Sequence, residues 1–313
     1  MAITPHDRFN MLKAILLQRV GVGLLMIMTA SATGCRRAEM TDIVPTDSSQ
    51  VALLRLPTTG GGGGGGGAGD TGSGWGTLKG VFKFTGAAPS LGVQAGFDPN
   101  KDALCKVPVK DETLVVDPGS KGIHNVLLYL RVAPRTHPEI ENAPPKEAIF
   151  DQRECRFLSH VFASSIKDKF VILNTDEPAH NSKGAPGSGN PEFNELISPK
   201  TGKYVYPGFK KPITTPYDIT CSIHPWMKAY HIARPDTYFA VTAVDGTFTI
   251  DKLPAGVELE FQVWHERGAG EKGGLVAAAD GAKWAKNGRM KVTIPKDGDT
   301  VTLNVNVDPS AFQ

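Results

Sequence analysis

The side chains with the clearest capacity for chemistry are one cysteine, two histidines and one methionine. His180 stands alone, whereas Cys221, His224 and Met227 follow later at the spacing Cys-x2-His-x2-Met, which lets the side chains of one short turn converge. A thiolate, two imidazoles and a thioether are the ligands of a mononuclear type 1 (blue) copper site, in which Met is the weak axial ligand. The sequence therefore predicts one copper ion bound by these four residues.

The split of the ligands, one early and three late, suits a β-sandwich. A strand over residues 170–174 leads towards His180, which places this ligand on a loop at one end of the sandwich. A second strand over residues 217–220 delivers Cys221, and a single tight loop then supplies the remaining ligands.

Composition favours an all-β chain with two folded units. Glycine (35) and proline (23) are abundant among the 313 residues, and apolar runs are short and rich in valine, with few segments of helical period. The net charge of +2 comes without a basic patch, so nucleic acid is not an expected partner. The motifs His-x-His, His-Glu-x-x-His and Gly-x-Ser-x-Gly are missing from the sequence, and we therefore expect no enzymatic activity.

The N-terminus has the features of an export signal. Three basic residues precede an apolar stretch over residues 20–28, which is too short for a comfortable membrane span. Residues 32–35 (Ala-Thr-Gly-Cys) resemble a bacterial lipobox with Cys35 as the lipid-modified residue; the alternative is a plain signal peptide. We expect residues 1–35 to be this signal and residues 36–75, with glycine at 60–67, to be a disordered tether. The predicted location is the periplasm or cell surface, as a membrane-anchored lipoprotein.

The copper-ligand segment resembles the ligand loop of the cupredoxins, and its short form is similar to the amicyanin type. This resemblance implies copper binding and electron transfer within a Greek-key β-sandwich. It also implies that His224 lies at the protein surface inside an apolar collar. Asn181 resembles the family's asparagine that joins the two ligand loops by hydrogen bonds; the alternative is a simple turn residue.

A broader resemblance covers roughly residues 76–313. Residues 151–181 and 246–266 are similar to bacterial envelope proteins of a methylamine-utilisation-like type, which pair a cupredoxin-like domain with a small carboxypeptidase-regulatory-like one. The expected domains are thus a cupredoxin-like copper domain over 76–240 and a prealbumin-like β-sandwich over 241–313.

The four cysteines can be allocated on this basis. With lipid on Cys35 and copper on Cys221, Cys105 and Cys155 remain to form one disulfide in an exported protein. Such a bridge closes a loop of roughly 50 residues, worth about 4 kcal/mol in the chain-entropy model. The competing hypothesis assigns Cys155, with His160, to a second metal site.

These predictions together describe an exported type 1 copper protein that transfers single electrons between envelope partners, at least one of them a redox protein. One alternative is a protein that stores or delivers copper. Another is a structural or carbohydrate-contacting surface protein without a redox role.

Overall fold

The computed structural model describes residues 71–313, and this part of the chain is almost entirely β. One short helix, α1 (Pro138–Glu141), and two 3-10 turns (Glu271–Gly273 and Pro309–Ala311) interrupt the strands. The strands are β1 Trp75–Phe84, β2 Leu127–Leu130, β3 Glu147–Arg153, β4 Arg156–Phe157, β5 Val161–Ser165, β6 Lys169–Asn174, β7 His180–Gly184, β8 Phe193–Ile197, β9 Gly202–Val205, β10 Tyr217–Thr220, β11 Lys228–Arg234, β12 Phe239–Val241, β13 Thr247–Pro254, β14 Glu258–Trp264, β15 Lys283–Trp284, β16 Arg289–Thr293 and β17 Thr300–Val307.

The strands form four sheets that share two hydrophobic cores. In the first sandwich, termed the terminal sandwich, a three-stranded sheet (β13-β1-β17) and a five-stranded sheet (β12-β2-β14-β16-β15) contribute to one core. In the second, termed the inserted sandwich, the sheets are β5-β11-β10-β7-β8 and β4-β3-β6-β9. The predicted all-β sandwich class is thus confirmed.

Strand β2 belongs to both cores. Its four residues are all buried, as the nearly continuous apolar character of residues 125–132 predicts. Leu128 and Leu130 pack in the core of the terminal sandwich, whereas Leu127 and Tyr129 pack in the core of the inserted one. Since successive side chains of a strand point to opposite faces, the sheet containing β2 is a layer between the two cores.

The strand pairing differs from the predicted division at residue 240. Strand β1 pairs in parallel with β17 and antiparallel with β13, and β2 pairs with β12 and β14. The first strand of the described residues therefore belongs with the C-terminal strands, and β3 to β11 are inserted between them. A period-2 pattern in the sequence indicates which face of a strand is buried but does not identify its partner strand, so β1 could not be assigned from residues 78–84 alone.

An Asp-Gly pair between two β-prone runs, here Asp245-Gly246, usually predicts a hairpin, and this turn does not form one. Strands β12 and β13 on either side of it pair in different sheets, so this turn carries the chain from one sheet of the terminal sandwich to the other. Gly246 has φ +82°, and a Cβ there would lie 2.4 Å from the Phe82 carbonyl oxygen. The sequence signal for a tight turn is correct, but the pairing that it usually implies is not formed.

The predictions for the signal segment, Cys35 and residues 36–70 of the tether lie outside the described residues. The last residue of the predicted tether, Trp75, begins β1 and is not disordered. Within residues 71–313, none of the helices has the length and apolar character that crossing a membrane requires.

Candidate metal centre

The ligand loop is a hairpin connection between β10 and β11. The two strands are antiparallel, with Thr220 opposite Lys228, and Cys221 and Met227 occupy the first and last positions of the loop between them. The Cys221 amide donates to the Met227 carbonyl (3.2 Å), and the Met227 amide donates to the His224 carbonyl (2.9 Å). These bonds fold the loop onto itself, which directs its side chains to a common point.

His180 reaches this point from a neighbouring strand. It is the first residue of β7, which pairs with β10 so that Lys183 lies opposite Thr220. The position differs slightly from the expected loop, since His180 begins the strand instead of preceding it. Ligand atoms of His180, Cys221 and His224 all lie within 4.8 Å of one another.

The geometry is that of two imidazoles and a sulfur facing one small space. The Nδ1 atoms of His180 and His224 are 2.8 Å apart, and Cys221 Sγ is 3.8 Å from His224 Nδ1. Both histidines are 0% exposed and Cys221 is 2% exposed. Met227 is also buried, at 1% exposure. The structure thus brings the predicted thiolate and imidazole ligands together, with the predicted thioether in the same loop.

Two carboxylates hold the outer nitrogens of the histidines. Asp176 Oδ2 lies 2.8 Å from His180 Nε2, and Asp102 Oδ2 lies 3.1 Å from His224 Nε2. An ionised carboxylate only accepts hydrogen bonds, so each Nε2 carries the proton when the rings are neutral. The carboxylate-histidine pairing that fixes the tautomer and orientation of a metal ligand is therefore present twice.

The charge state of these groups follows from their surroundings. Burial alone raises the pKa of Asp176, but hydrogen bonds from His180 and from the Cys155 and Glu177 amides outweigh it and hold the pKa below its usual value. A hydrogen bond from the Leu104 amide, aided by His224, lowers the pKa of Asp102. Burial lowers the pKa of His180. Ionised carboxylates and neutral imidazole are the states that a cation site requires.

The arrangement leaves two lone pairs facing each other. With the protons on Nε2, the Nδ1 atoms 2.8 Å apart both present acceptors, and no donor stands between them. Such a contact is unfavourable unless a cation or a shared proton lies between the rings. Together with the adjacent Cys221 thiol, this donor set fits a soft transition-metal ion such as copper.

Asn181 joins the two ligand segments. Its Oδ1 accepts from the Ser222 amide (2.6 Å), in the ligand loop, and its Nδ2 donates to Asn194 Oδ1 (2.7 Å), in β8. The side chain is 6% exposed. This contact is the one that the sequence resemblance implies for Asn181.

Replacing Asn181 with alanine should weaken copper binding roughly 10-fold and lower the free energy of unfolding by about 1 kcal/mol. The cause is the lost bond to the Ser222 amide, which fixes the start of the ligand loop. The measurement is a copper titration against a competing chelator. Asn190→Ala is a matched control, because Asn190 is also 6% exposed and bonds the Lys210 and Lys211 amides in another loop. Equal copper affinity in the two variants would contradict this role.

A cap segment, residues 94–110, covers the outer side of the site. It is joined to the inserted sandwich by a disulfide between Cys105 and Cys155, the pairing expected from the sequence. Phe97 contacts the Trp226 ring edge-on at 5.1 Å, and Cys105 Sγ lies 3.7 Å from His224 Nε2. The expectation that His224 lies at the surface is therefore wrong: the cap segment and Asp102 cover its outer nitrogen.

The remaining histidines of interest do not join this cluster. His160 pairs with Glu266 and is not brought to Cys155, which is engaged in the disulfide. The competing hypothesis of a Cys155–His160 metal site is thus not supported. His265 is buried, and its Nδ1 accepts from the Arg267 amide.

Sequence reasoning missed both carboxylates. Asp176 precedes His180 by four residues, and this spacing is a signal that could have been used. Asp102 is far from His224 in sequence, and the one sequence signal that links its segment to the site is the disulfide partner Cys105, three residues later.

Comparison with known proteins gives limited similarity. No protein-family model matches the chain, and no curated protein sequence matches it. Among solved structures, a reduced Cu(I) form of an amicyanin variant is similar at 17% identity and TM-score 0.25, over 28% of this chain and 82% of the other. Amicyanin from Paracoccus versutus is similar at 19% identity and TM-score 0.25, over 30% and 87% respectively. A copper-containing nitrite reductase from Thermus scotoductus SA-01 is similar at 20% identity and TM-score 0.25, over 28% and 22%. These TM-scores are too low for the similarity to support a conclusion about function.

Proposed function

We propose that this chain is an exported copper protein, not an enzyme, that transfers single electrons between envelope partners. One ion would be held by His180, Cys221, His224 and Met227. The observation that carries the proposal is the 2.8 Å approach of two buried Nδ1 atoms beside the Cys221 sulfur, with both outer nitrogens bound to carboxylates. Copper at this site would supply a Cu(I)/Cu(II) couple.

The protein's part in such a function is to keep the ligands still. Strands β7, β10 and β11 carry the ligand segments in one sheet, Asn181 joins the segments, and the carboxylates fix both rings. Complete burial of the histidines would keep water away from an ion bound there. A site that holds its geometry in both oxidation states needs little rearrangement when an electron enters or leaves.

The partner would be a redox protein of the cell envelope, and a lipid on Cys35 would anchor the chain at the membrane. Because the cap segment covers His224, an electron would have to pass through the residues around Asp102 and Cys105 instead of through an exposed imidazole edge.

A second candidate function, storage or delivery of copper, is favoured by the same burial. His224 is 0% exposed and lies under a disulfide-anchored segment, which suits retention of an ion better than rapid electron exchange.

The experiment that tests the proposal is a visible absorption spectrum of the purified protein with and without Cu(II), followed by voltammetry. An intense thiolate-to-copper band with a reversible redox wave is the expected result. Tight Cu(I) binding without a reversible wave would favour storage or delivery. Failure to bind copper in either oxidation state would refute both functions.

A further inference from the structure

The His224 ring lies between two cysteine sulfur atoms. Cys221 Sγ is 3.8 Å from its Nδ1, and Cys105 Sγ is 3.7 Å from its Nε2, on the opposite side of the ring. The first sulfur belongs to the copper site described above. The second belongs to a disulfide, in which sulfur carries no charge and is a poor metal ligand.

The disulfide is surrounded by further groups that bind metals. Ligand atoms of Asp102, Cys105 and His224 lie within 4.8 Å of one another, and so do those of Cys155, Asp176 and His180. Breaking the bond between the sulfurs would turn this cluster into two thiols flanked by two carboxylates. Paired thiolates select soft ions, among them Cu(I).

The positions of the two cysteines do not depend on the disulfide alone. The Cys155 amide donates to Asp176 Oδ2 (2.7 Å), and its carbonyl accepts from Trp226 Nε1 (2.9 Å). On the other side, the Cys105 amide donates to the Asp102 carbonyl (3.2 Å). These bonds, with Phe97 against Trp226, would keep the thiols near each other after reduction.

Both cysteines line an open cleft. The cleft has a volume of about 730 Å³ and is also lined by Asp176 and by three basic side chains, Lys106, Lys110 and Arg156. The disulfide therefore lies at the wall of this cleft, although Cys105 and Cys155 are only 1% and 4% exposed.

We propose that Cys105 and Cys155, once reduced, form a second metal site for a soft monovalent cation, Cu(I). A dithiol reductant breaks the sulfur-sulfur bond by supplying two electrons and two protons, and becomes a disulfide itself. Cu(I) then replaces the two thiol protons without changing its own oxidation state. A further role, in which this second site passes Cu(I) to the inner site by way of His224, rests on the proposed copper function. The existence of the second site does not depend on that function.

The test is a Cu(I) titration under anaerobic conditions against a chromophoric Cu(I) chelator. The full chain carries Cys35→Ser throughout, so that this thiol cannot contribute. The oxidised protein is compared with protein reduced by a phosphine that is then removed. We expect one ion per chain for the oxidised protein and two for the reduced protein. Equal numbers in the two states would overturn the proposal.

Two variants separate this proposal from the copper function. Cys221→Ser removes the inner thiolate and should bind no ion when oxidised and one when reduced. The double variant Cys105→Ser/Cys155→Ser should bind one ion in both conditions, and its thermal unfolding reports whether it remains folded. If the parent protein binds no ion when oxidised and one when reduced, the inner-site function fails and the second site stands. The comparison of the oxidised and reduced forms of the Cys35→Ser chain needs no substitution at either metal site, so it does not depend on whether the two further variants fold.

Discussion

Replacing Cys221 with serine should abolish the intense visible absorption of the copper-loaded protein. The affinity for copper should fall by more than the roughly 100-fold that loss of a ligand's hydrogen-bond partner costs. The thiolate supplies the soft anionic donor, whereas a serine hydroxyl is neutral and hard. The hydroxyl would also stand beside His224 Nδ1, now 3.8 Å from the sulfur, and donate to the lone pair that the metal needs. The measurement is the absorption spectrum with Cu(II), together with a competition titration.

Met227→Leu is the matched variant from the same loop. Met227 is 1% exposed, and leucine has a similar volume and apolar character, so the fold should tolerate the change. If the Met227 thioether binds the proposed copper ion only weakly, its replacement would shift the reduction potential while the strong band survives. Survival of the band in Cys221→Ser would refute the assignment of this cysteine as a ligand. Loss of the band in both variants would indicate that the loop, rather than the thiolate, had been disrupted.

The loop that carries Cys221, His224 and Met227 could be predicted because these residues are close together in sequence. Cys221, His224 and Met227 lie within a single hairpin connection, so their spacing contains most of the geometric information. Strand β10 occupies residues 217–220, as the alternation and the position of Cys221 predict. The position of His180 depends on which strands are neighbours in the sheet, and a sequence pattern does not identify them. The pairing of β7 with β10 places His180 beside the loop.

The cover over the site could not be predicted in the same way. Asp102 and Cys105 lie in a segment without regular strands, more than a hundred residues before His224. No periodic pattern indicates where such a segment lies. The resemblance to cupredoxins therefore led to the expectation of an exposed His224, which the cap segment contradicts. The position of β1 beside β17 could not be predicted either, because the two strands are at opposite ends of the described residues.

The cap segment changes what the copper hypothesis requires. A buried His224 with its outer nitrogen on Asp102 cannot present its edge directly to a partner. The same segment leaves His180 and His224 without exposed surface. Electron exchange would require a short path through this segment to His224, whereas retention of an ion would require the segment to keep the site closed. The Cys105–Cys155 disulfide anchors the segment and therefore affects both requirements.

Acid should destabilise the metal-free protein strongly, because two histidines are buried without charge. Burial lowers the pKa of His231 to about 3 and that of His265 to about 3. His231 bonds Ser164 Oγ (2.9 Å) and the Tyr217 hydroxyl (2.8 Å) and stacks on Phe170, so it has no room for hydration. In the unfolded chain a histidine binds a proton below about pH 6.5.

The direction of the effect follows from proton binding. Between about pH 6.5 and pH 3 the unfolded state binds more protons than the folded state, so the free energy of unfolding falls as pH falls. The contribution of each histidine is fully present above about pH 6.5 and is lost progressively on acidification at about 1.4 kcal/mol per pH unit. From about pH 6 to pH 4.5 the two histidines together should remove about 4 kcal/mol. Denaturant unfolding across this range is the measurement.

His231→Asn separates titration from packing. Loss of the stacked ring lowers stability at every pH, which shifts the whole curve, whereas loss of the titrating group changes only its slope. We expect the slope between about pH 6 and pH 4.5 to become shallower by about 1.4 kcal/mol per pH unit in His231→Asn, by a similar amount in His265→Asn, and by the sum in the double variant. A slope equal to that of the parent protein in His231→Asn would show that this imidazole takes up its proton in the folded state. Its burial among Ser164, Tyr217 and Phe170 would then not exclude the charged form.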